Sequence, residues 1–167
     1  TVIAGPGCAR YLGDLGADVV KVERPTGDTA RDLGWKHPDD GDSLWWKVVG
    51  RNKRSIVLDL RHRPAMDALW KLIENADVLI ENYRPGTLEK MGLAPEVLHK
   101  RNPGLILVRV SGYGQTGSYA HLPGFGTIVE AMSGYAYRTG FPDREPVLPP
   151  LALADMIAGL YGASATA

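Results

Sequence analysis

The stretch RSIVLDLRHRPAMDALWKLIENADVLIEN, residues 54–82, decides the fold class of this chain. RSIVLDL (54–60) and ADVLIEN (76–82) are short apolar runs rich in β-branched residues, which predicts two strands. PAMDALWKLIENA (64–76) lies between them and has helical periodicity, and Pro64 stands at its start, where proline's missing N–H costs no hydrogen bond. A strand, a helix and a second strand in this order predict two parallel strands joined by a crossover helix.

The same alternation continues on both sides of this unit. ADVVKVE (17–23) and GLILVRVSG (104–112) predict further strands, and PGCARYLGDLG (6–16) and PEVLHKRN (95–102) predict further helices. We therefore expect an α/β domain with a parallel sheet. TVIAGPG (1–7) is interpreted as the end of a strand followed by a turn, and residues 25–50, which are rich in turn formers, as a long loop.

Composition limits the classes of partner and site. The 167 residues, 44% of them hydrophobic, are enough for about one domain with a buried core. The 19 basic residues balance the 19 acidic ones, so neither nucleic acid nor a membrane surface is expected as the main partner. The single cysteine excludes an internal disulfide, the four histidines lack the spacing of metal ligands, and a cytoplasmic location is the default expectation.

Gly5-Pro6-Gly7 before a predicted helix, with Glu23 at the end of the next strand, resembles a dinucleotide-binding fingerprint. The match is poor, because Arg10 stands at the third glycine position and Pro6 removes a backbone donor. A tight turn between a strand and a helix is at least as good an interpretation.

Cationic and amide side chains follow the carboxyl ends of three predicted strands. Arg24 and Arg61 each come after one strand, and residues 82–84 (Asn-Tyr-Arg) come after another. Ligands of open parallel sheets bind at this edge, and several guanidinium groups suit a ligand with more than one phosphate. The alternative interpretation of each arginine, taken singly, is a solvated loop charge that binds no ligand.

Asp155 is the only Asp, Glu, Lys, Arg or His among residues 146–167. An aspartate in such an apolar run predicts either the N-cap of the helix that follows or a partly dry carboxylate kept for chemistry. The two interpretations are compatible, because a helix N-terminus also stabilises a carboxylate.

Six blocks together carry a family resemblance. They are GPGCARYLGDLGADVVKVERPTGDTAR, NKRSIVLDL, ADVLIENYRPGTLEKMGL, NPGLILVRVSGYGQTGSYA, PGFGTIVEAMSG and LADMIAGLYGA. In order and spacing they resemble the class III coenzyme A-transferases, the family of L-carnitine dehydratase, bile acid-inducible protein F and formyl-CoA:oxalate transferase. The resemblance implies a Rossmann-like large domain, a small domain and an interlocked homodimer. Residues 1–167 would then be a truncated N-terminal part of the large CoA-binding domain, without the small domain and the C-terminal segment, and inactive in isolation.

The resemblance also implies a chemistry and a set of site residues. Asp155 would be the nucleophile that carries CoA from an acyl-CoA to a small carboxylic acid through a covalent aspartyl intermediate, without a metal. CoA itself would be bound by residues distributed over the whole chain: Ile3, Ala4, Arg24, Leu58, Arg61, Asn82, Tyr83, Arg84, Lys90 and Met91.

Two departures from the family pattern concern the substrate pocket. Phe125 stands where the racemase branch of the family has a histidine, and Gly126 stands where that branch and some transferases have an acid. The first disfavours a 2-methylacyl-CoA racemase, because two-base proton exchange would lack a partner for Asp155. Phe125 is expected either to form a wall of the acyl pocket or to be a core aromatic. A nucleotide-binding module without chemistry is the third hypothesis.

Overall fold

A computed structural model describes residues 2–167 of the chain. Its strands are β1 (Val19–Glu23), β2 (Lys53–Val57), β3 (Val78–Glu81) and β4 (Ile106–Arg109). Its helices are α1 (Ala4–Asp14), α2 (Leu44–Gly50), α3 (Arg63–Glu74), α4 (Thr87–Lys90), α5 (Pro95–Arg101), α6 (Gly126–Met132), α7 (Tyr135–Arg138) and α8 (Leu153–Thr166), with a 3-10 turn at Thr29–Arg31. The predicted α/β class is confirmed.

The strands pair in parallel, two by two. Strand β1 lies beside β2, with Val19 opposite Lys53 and Glu23 opposite Val57, and β3 lies beside β4, with Glu81 opposite Arg109. Within residues 2–167 these pairs form two separate sheets, not the single sheet expected from the sequence. Hydrophobic runs predict that a segment is a strand, but they do not specify which edges pair.

The main hydrophobic cluster supports the carboxyl ends of these strands. It contains Leu69 and Ile73 of α3, Leu88 of α4, Leu93, Leu98 of α5 and Leu105. The Asn102 side-chain amide donates to the carbonyls of Ile73 (2.9 Å) and Ala76 (2.8 Å), which ties the end of α5 to the end of α3. The segment between β3 and α5 is therefore held on a rigid base.

Helices α1 and α8, the first and last helices within residues 2–167, cross with their backbones in close contact. A β-carbon built on Gly159 would lie 2.9 Å from the carbonyl oxygen of Ala4 and 3.0 Å from the backbone nitrogen of Cys8. One built on Gly162 would lie 3.1 Å from the Cys8 sulfur. Only glycine permits this approach, which brings the N-terminal turns of the two helices together.

Two sequence expectations are wrong in this part of the fold. Residues 4–7 form the first turn of α1 and not the end of a strand with a turn. Pro6 is tolerated there because N–H groups of a first helical turn have no partner within the helix. The segment 25–50 is also not a plain loop, since Ser43 caps α2 by accepting a hydrogen bond from the Trp46 N–H (3.2 Å).

Candidate functional site

Asp155 is the third residue of α8, two positions after the helix begins. The expected N-cap role is therefore wrong: Ala152 occupies the N-cap and has no side chain with which to accept a hydrogen bond. In the first helical turn, Asp155 still faces the positive end of the helix dipole, which favours its ionised form.

Two neighbours and partial burial define the surroundings of the Asp155 carboxyl group. The group is half-buried and accepts a hydrogen bond from the backbone N–H of Ala4, at the start of α1. Burial raises the pKa of Asp155, the negative charge of Glu130 raises it further, and the Ala4 hydrogen bond opposes both. The result is a carboxylate that is more basic than usual and held by a fixed donor.

Gly126 lies directly against this carboxylate. It is the first residue of α6, and a β-carbon built on it would lie 2.5 Å from Oδ2 of Asp155. The acid that the sequence resemblance associates with this position in some transferases would have no room here. The orientation of Asp155 must come from other groups.

Glu130 is the functional candidate that sequence reasoning missed. It is 7% exposed, and its Oε1 accepts a hydrogen bond of 2.9 Å from the backbone N–H of Ala154. The available signal was an isolated acid in the apolar segment GTIVEAM (126–132). Glu130 and Asp155 lie on different helices, however, and no local sequence pattern predicts that the two side chains are close together.

Phe125 is the N-cap residue of α6 and is 63% exposed. It therefore does not belong to the core formed by residues 2–167. A role as a wall of the acyl pocket stays a prediction.

A cavity of about 220 Å³ lies beside the turn that follows β3. It is lined by Asn82, Tyr83, Arg84, Pro85, Ser111, Gly112, Leu122, Pro123 and Gly124. Two of the lining segments cross so closely that a β-carbon on Gly112 would lie 2.6 Å from the Cα of Gly124. This crossing brings the segment that leads into α6 back to the turn after β3.

Asn82 also contacts the start of α1. A β-carbon built on Gly5 would lie 3.0 Å from Cγ of Asn82, so the amide packs against the bare backbone of Gly5. Ala4 on one side of this contact donates to Asp155. The structure thus brings the predicted residues Ile3, Ala4, Asn82, Tyr83, Arg84, Phe125, Gly126 and Asp155 into one contiguous region.

Arg24, Leu58 and Arg61 form a second group at the carboxyl end of the β1–β2 pair. The exposed Arg24 donates from Nε to the Gly27 carbonyl (3.0 Å). Arg61 makes two hydrogen bonds to Asp59 (2.8 and 2.7 Å), which lower the pKa of Asp59 to about 2. The Arg61 side chain is nevertheless 84% exposed. Both cations are accessible to a ligand.

Lys90 and Met91 have different surroundings although they are adjacent. Lys90 is exposed at the end of α4, whereas Met91 packs against the main hydrophobic cluster. Arg109 fixes this helix by pairing with Glu81 (2.7 Å) and Glu89 (2.8 Å). The Glu81 carboxylate also accepts from the Tyr83 N–H (2.7 Å), so one ion cluster holds both the turn after β3 and α4.

The dinucleotide interpretation of Gly5-Pro6-Gly7 and Glu23 is wrong. The three residues belong to α1, and Glu23 is only 5% exposed. Its carboxylate accepts from Arg31 (2.9 and 2.8 Å), from the Asp28 N–H (2.9 Å) and from the Ser55 hydroxyl. It has no acceptor capacity left for a ribose.

A model of the family described as CoA-transferase family III matches residues 1–167. The chain belongs to CoA-transferase family III. The family resemblance of the six sequence blocks is confirmed.

Relatives of this family III chain are named as CoA-transferases. It is 48% identical over 162 residues to the succinyl-CoA–D-citramalate CoA-transferase of Chloroflexus aurantiacus, an alignment that covers 96% of this chain and 40% of that protein. It is 51% identical over 163 residues to the succinyl-CoA–L-malate CoA-transferase beta subunit of the same organism, covering 97% of this chain and 40% of the relative. The chain thus spans about 40% of the length of these relatives.

A solved structure shares the fold of the family III chain. The crystal structure of a CAIB/BAIF family protein from Brucella suis superposes with a TM-score of 0.93 at 39% identity, covering 99% of this chain and 44% of the other. The expected fold of the class III CoA-transferases is confirmed.

Neither a metal site nor a membrane-spanning helix is found within the described residues of the family III chain. Across residues 2–167, no cluster of three or more His, Cys, Asp or Glu side chains is placed to hold a metal ion. None of the helices described for this stretch combines the length and apolar character needed to cross a membrane.

Proposed function

We propose that the full-length protein transfers CoA from an acyl-CoA thioester to a carboxylic acid through a covalent intermediate on Asp155. The observation that carries this proposal is the half-buried carboxylate of Asp155, which lies where the first turns of α1 and α8 meet and accepts the Ala4 N–H. Membership of CoA-transferase family III supports the reaction class.

The proposed reaction proceeds through successive anhydride and thioester intermediates on Asp155. The carboxylate attacks the thioester carbonyl and expels the CoA thiolate, which leaves a mixed anhydride between Asp155 and the donor acyl group. The thiolate then attacks the aspartyl carbonyl, which releases the donor acid and leaves an aspartyl-CoA thioester. The acceptor carboxylate attacks this thioester and expels the thiolate again. The thiolate finally takes the acceptor acyl group and regenerates the Asp155 carboxylate.

The local environment suits both requirements of such a nucleophile. Partial burial removes water and raises the basicity of the Asp155 carboxylate, which strengthens its attack on a carbonyl. The Ala4 N–H and the α8 dipole keep the carboxylate oriented and ionised.

CoA is proposed to lie along the carboxyl ends of the two strand pairs. Arg24 and Arg61 would hold phosphate groups at the β1–β2 end, where Leu58 would contact the adenine, and Lys90 and Met91 would add contacts near α4. The cavity beside residues 82–84 is lined by the turn after β3 and by the segment that leads into α6, whose first residue, Gly126, lies against Asp155. Its position suits the part of CoA that approaches the nucleophile.

The substrates and the assembly of the whole protein are part of the same proposal. The names of relatives pair succinyl-CoA with citramalate, malate or glutarate, so these compounds are the first to test as donor and acceptors. We propose an interlocked homodimer in the cytoplasm, with a small domain that completes the site.

Asp155→Asn in the full-length protein tests the proposal directly. The variant is expected to lose acyl exchange while it still binds CoA, because an amide is not a nucleophile here and Asp155 lies away from the phosphate-binding arginines. Hydroxylamine or borohydride trapping should modify Asp155 in the wild type only in the presence of acyl-CoA. Asp143→Asn, in an exposed loop, is the matched control and should be fully active.

Two results would contradict the proposal. Near-normal turnover by the Asp155→Asn variant would remove the covalent mechanism. A wild-type protein that binds CoA but transfers it between none of these donors and acceptors would support the hypothesis of a nucleotide-binding module without chemistry.

A further inference from the structure

Helix α8 begins without a capping side chain of its own. Ala152 is at the N-cap, and the first N–H groups of a helix have no partner inside it. The Ala154 N–H is instead bound by Oε1 of Glu130 (2.9 Å), which belongs to α6. The residue next to this hydrogen bond is Asp155.

Helix α6 contacts the start of α8 at two points on one face. Gly126 and Glu130 are four residues apart in α6, so they lie on the same side of that helix, one turn from each other. Gly126 lies against Oδ2 of Asp155, and Glu130 holds the preceding residue, Ala154. The two contacts together fix both the backbone position and the side-chain space of Asp155.

Glu130 also places a negative charge near Asp155. Among the side chains of residues 2–167, it is the ionisable group whose charge raises the pKa of Asp155. The other elements packed against α8 carry charged groups that are engaged elsewhere: Asp14 of α1 pairs with Arg51, Arg10 of α1 stacks on Tyr11, and Arg109 of β4 pairs with Glu81 and Glu89.

We propose that Glu130 is the positioning residue of Asp155, which it holds at the attacking position by capping α8 from α6. The negative charge that Glu130 brings next to Asp155 is part of this role. This inference rests on the proposed role of Asp155. It assigns no contact with substrate to Glu130, which is buried behind the helix start.

Two variants of the full-length protein separate the capping contact from the charge. Glu130→Gln keeps a carbonyl oxygen that can accept from Ala154 but has no charge, and Glu130→Ala removes both. We expect Glu130→Ala to lower kcat by about 10- to 100-fold with little change in KM for acyl-CoA, because small misplacements of a reacting group cost that much.

For Glu130→Gln we expect kcat within about threefold of wild type on the pH plateau, since the acceptor is retained. The acidic limb of the pH–kcat profile of Glu130→Gln should move to lower pH, because removal of a neighbouring negative charge lowers the pKa of Asp155. Glu96→Ala, an exposed glutamate of α5, is the control and should change neither kcat nor the pH profile.

The outcomes distinguish this inference from the proposed function. If Asp155→Asn is inactive while Glu130→Ala has normal kcat, only the positioning role is wrong. A Glu130→Gln variant with an unshifted acidic limb would likewise overturn it, and this measurement decides the matter even if Glu130→Ala does not fold. Activity of Asp155→Asn would instead overturn the proposed function itself.

Discussion

The carboxylate of Asp155 occupies the space that a side chain at Gly126 would need. A β-carbon on Gly126 would lie 2.5 Å from Oδ2 of Asp155, whereas non-bonded heavy atoms normally stay about 3.5–4.0 Å apart. The carboxylate in the first turn of α8 therefore occupies its position only because the first residue of α6 is a glycine. A larger residue at position 126 requires a different position for the carboxylate.

Gly126→Ala is accordingly expected to reduce acyl exchange. The added methyl group must displace Asp155, and the loss in kcat should be about 10- to 100-fold with CoA affinity largely retained. Steady-state kinetics and CoA calorimetry on the full-length protein measure the two effects. Gly7→Ala is the control, because a β-carbon there meets nothing within 4 Å of the described structure. Equal activity of the two variants would show that the space at Gly126 is not needed.

Gly159→Ala is expected to destabilise the crossing of α1 and α8. Its β-carbon would meet backbone atoms of Ala4 and Cys8 at 2.9 and 3.0 Å, and these atoms cannot rotate away. Overpacking of this kind costs about 1–3 kcal/mol in the free energy of unfolding. Thermal unfolding should show a lower Tm, while Gly162→Ala, which meets the Cys8 side chain at 3.1 Å, should lose less. A rise in Tm, the usual effect of alanine in a helix, would contradict the close packing.

Arg24→Ala and Arg61→Ala are each expected to weaken CoA binding by about 10- to 100-fold, the size of a lost hydrogen bond to a charged group. The loss should shrink as ionic strength rises, because both arginines are exposed. Asp59→Asn is expected to act in the opposite direction, since it frees Arg61 from its carboxylate partner. Calorimetry with CoA and dephospho-CoA measures these effects, and equal affinity of wild type for CoA and NAD would argue against the assignment.

Glu23 is expected to make stability depend on pH in the acidic range. Its pKa is lowered to about 2, first by the Arg31 hydrogen bonds and further by Ser55 and the Asp28 N–H. Because the folded pKa lies below the unfolded value of about 4.3, the stabilisation is present at neutral pH and is lost as pH falls towards 2. It should amount to roughly 2–3 kcal/mol, reduced somewhat because Arg31 is 40% exposed.

Urea unfolding of wild type and Glu23→Gln between pH 7 and pH 2 measures this contribution. The variant should be less stable at neutral pH, and the difference should disappear near pH 2. A difference that is independent of pH would contradict the assignment. Glu96→Gln provides the exposed control.

Residues 1–167 expressed alone are expected to self-associate and to show no acyl exchange. Trp35, Tyr137 and Tyr161 are 85%, 82% and 73% exposed, and within residues 2–167 each strand has a partner on one side only. Such surfaces and strand edges favour association. Light scattering and an exchange assay measure both properties, and a monodisperse, active monomer would refute this expectation.

The sequence predicted those elements whose signals are local. The helix 64–76 and the strands that flank it were predictable because periodicity and Pro64 lie within the elements themselves. The start of α1 was not, because a first turn that contains two glycines and a proline has low helix propensity and depends on packing against α8. Long-range packing outweighed local preference at this point.

The residues of the candidate site also fall into those with a local sequence signal and those that depend on contacts between distant elements. Asp155 and the strand-end arginines could be proposed from charge in an apolar run and from their place after strands. The start of α8 could not be located, because the acceptor of its Ala154 N–H is Glu130, which belongs to another helix. Gly126 could be recognised as a departure from the family pattern, but its contact with Asp155 depends on how α6 and α8 pack.

The contact between Ala4 and Asp155 also determines when the site can form. It joins residue 4 to residue 155, so the whole stretch between them must be synthesised before the contact can be made. Contacts this distant in sequence carry a high entropic cost of loop closure and form late in folding. On the ribosome, the weakly helical start of α1 must wait until α8 has emerged. Asp155 therefore gains its hydrogen-bond donor only after all four strands of the described fold have been synthesised.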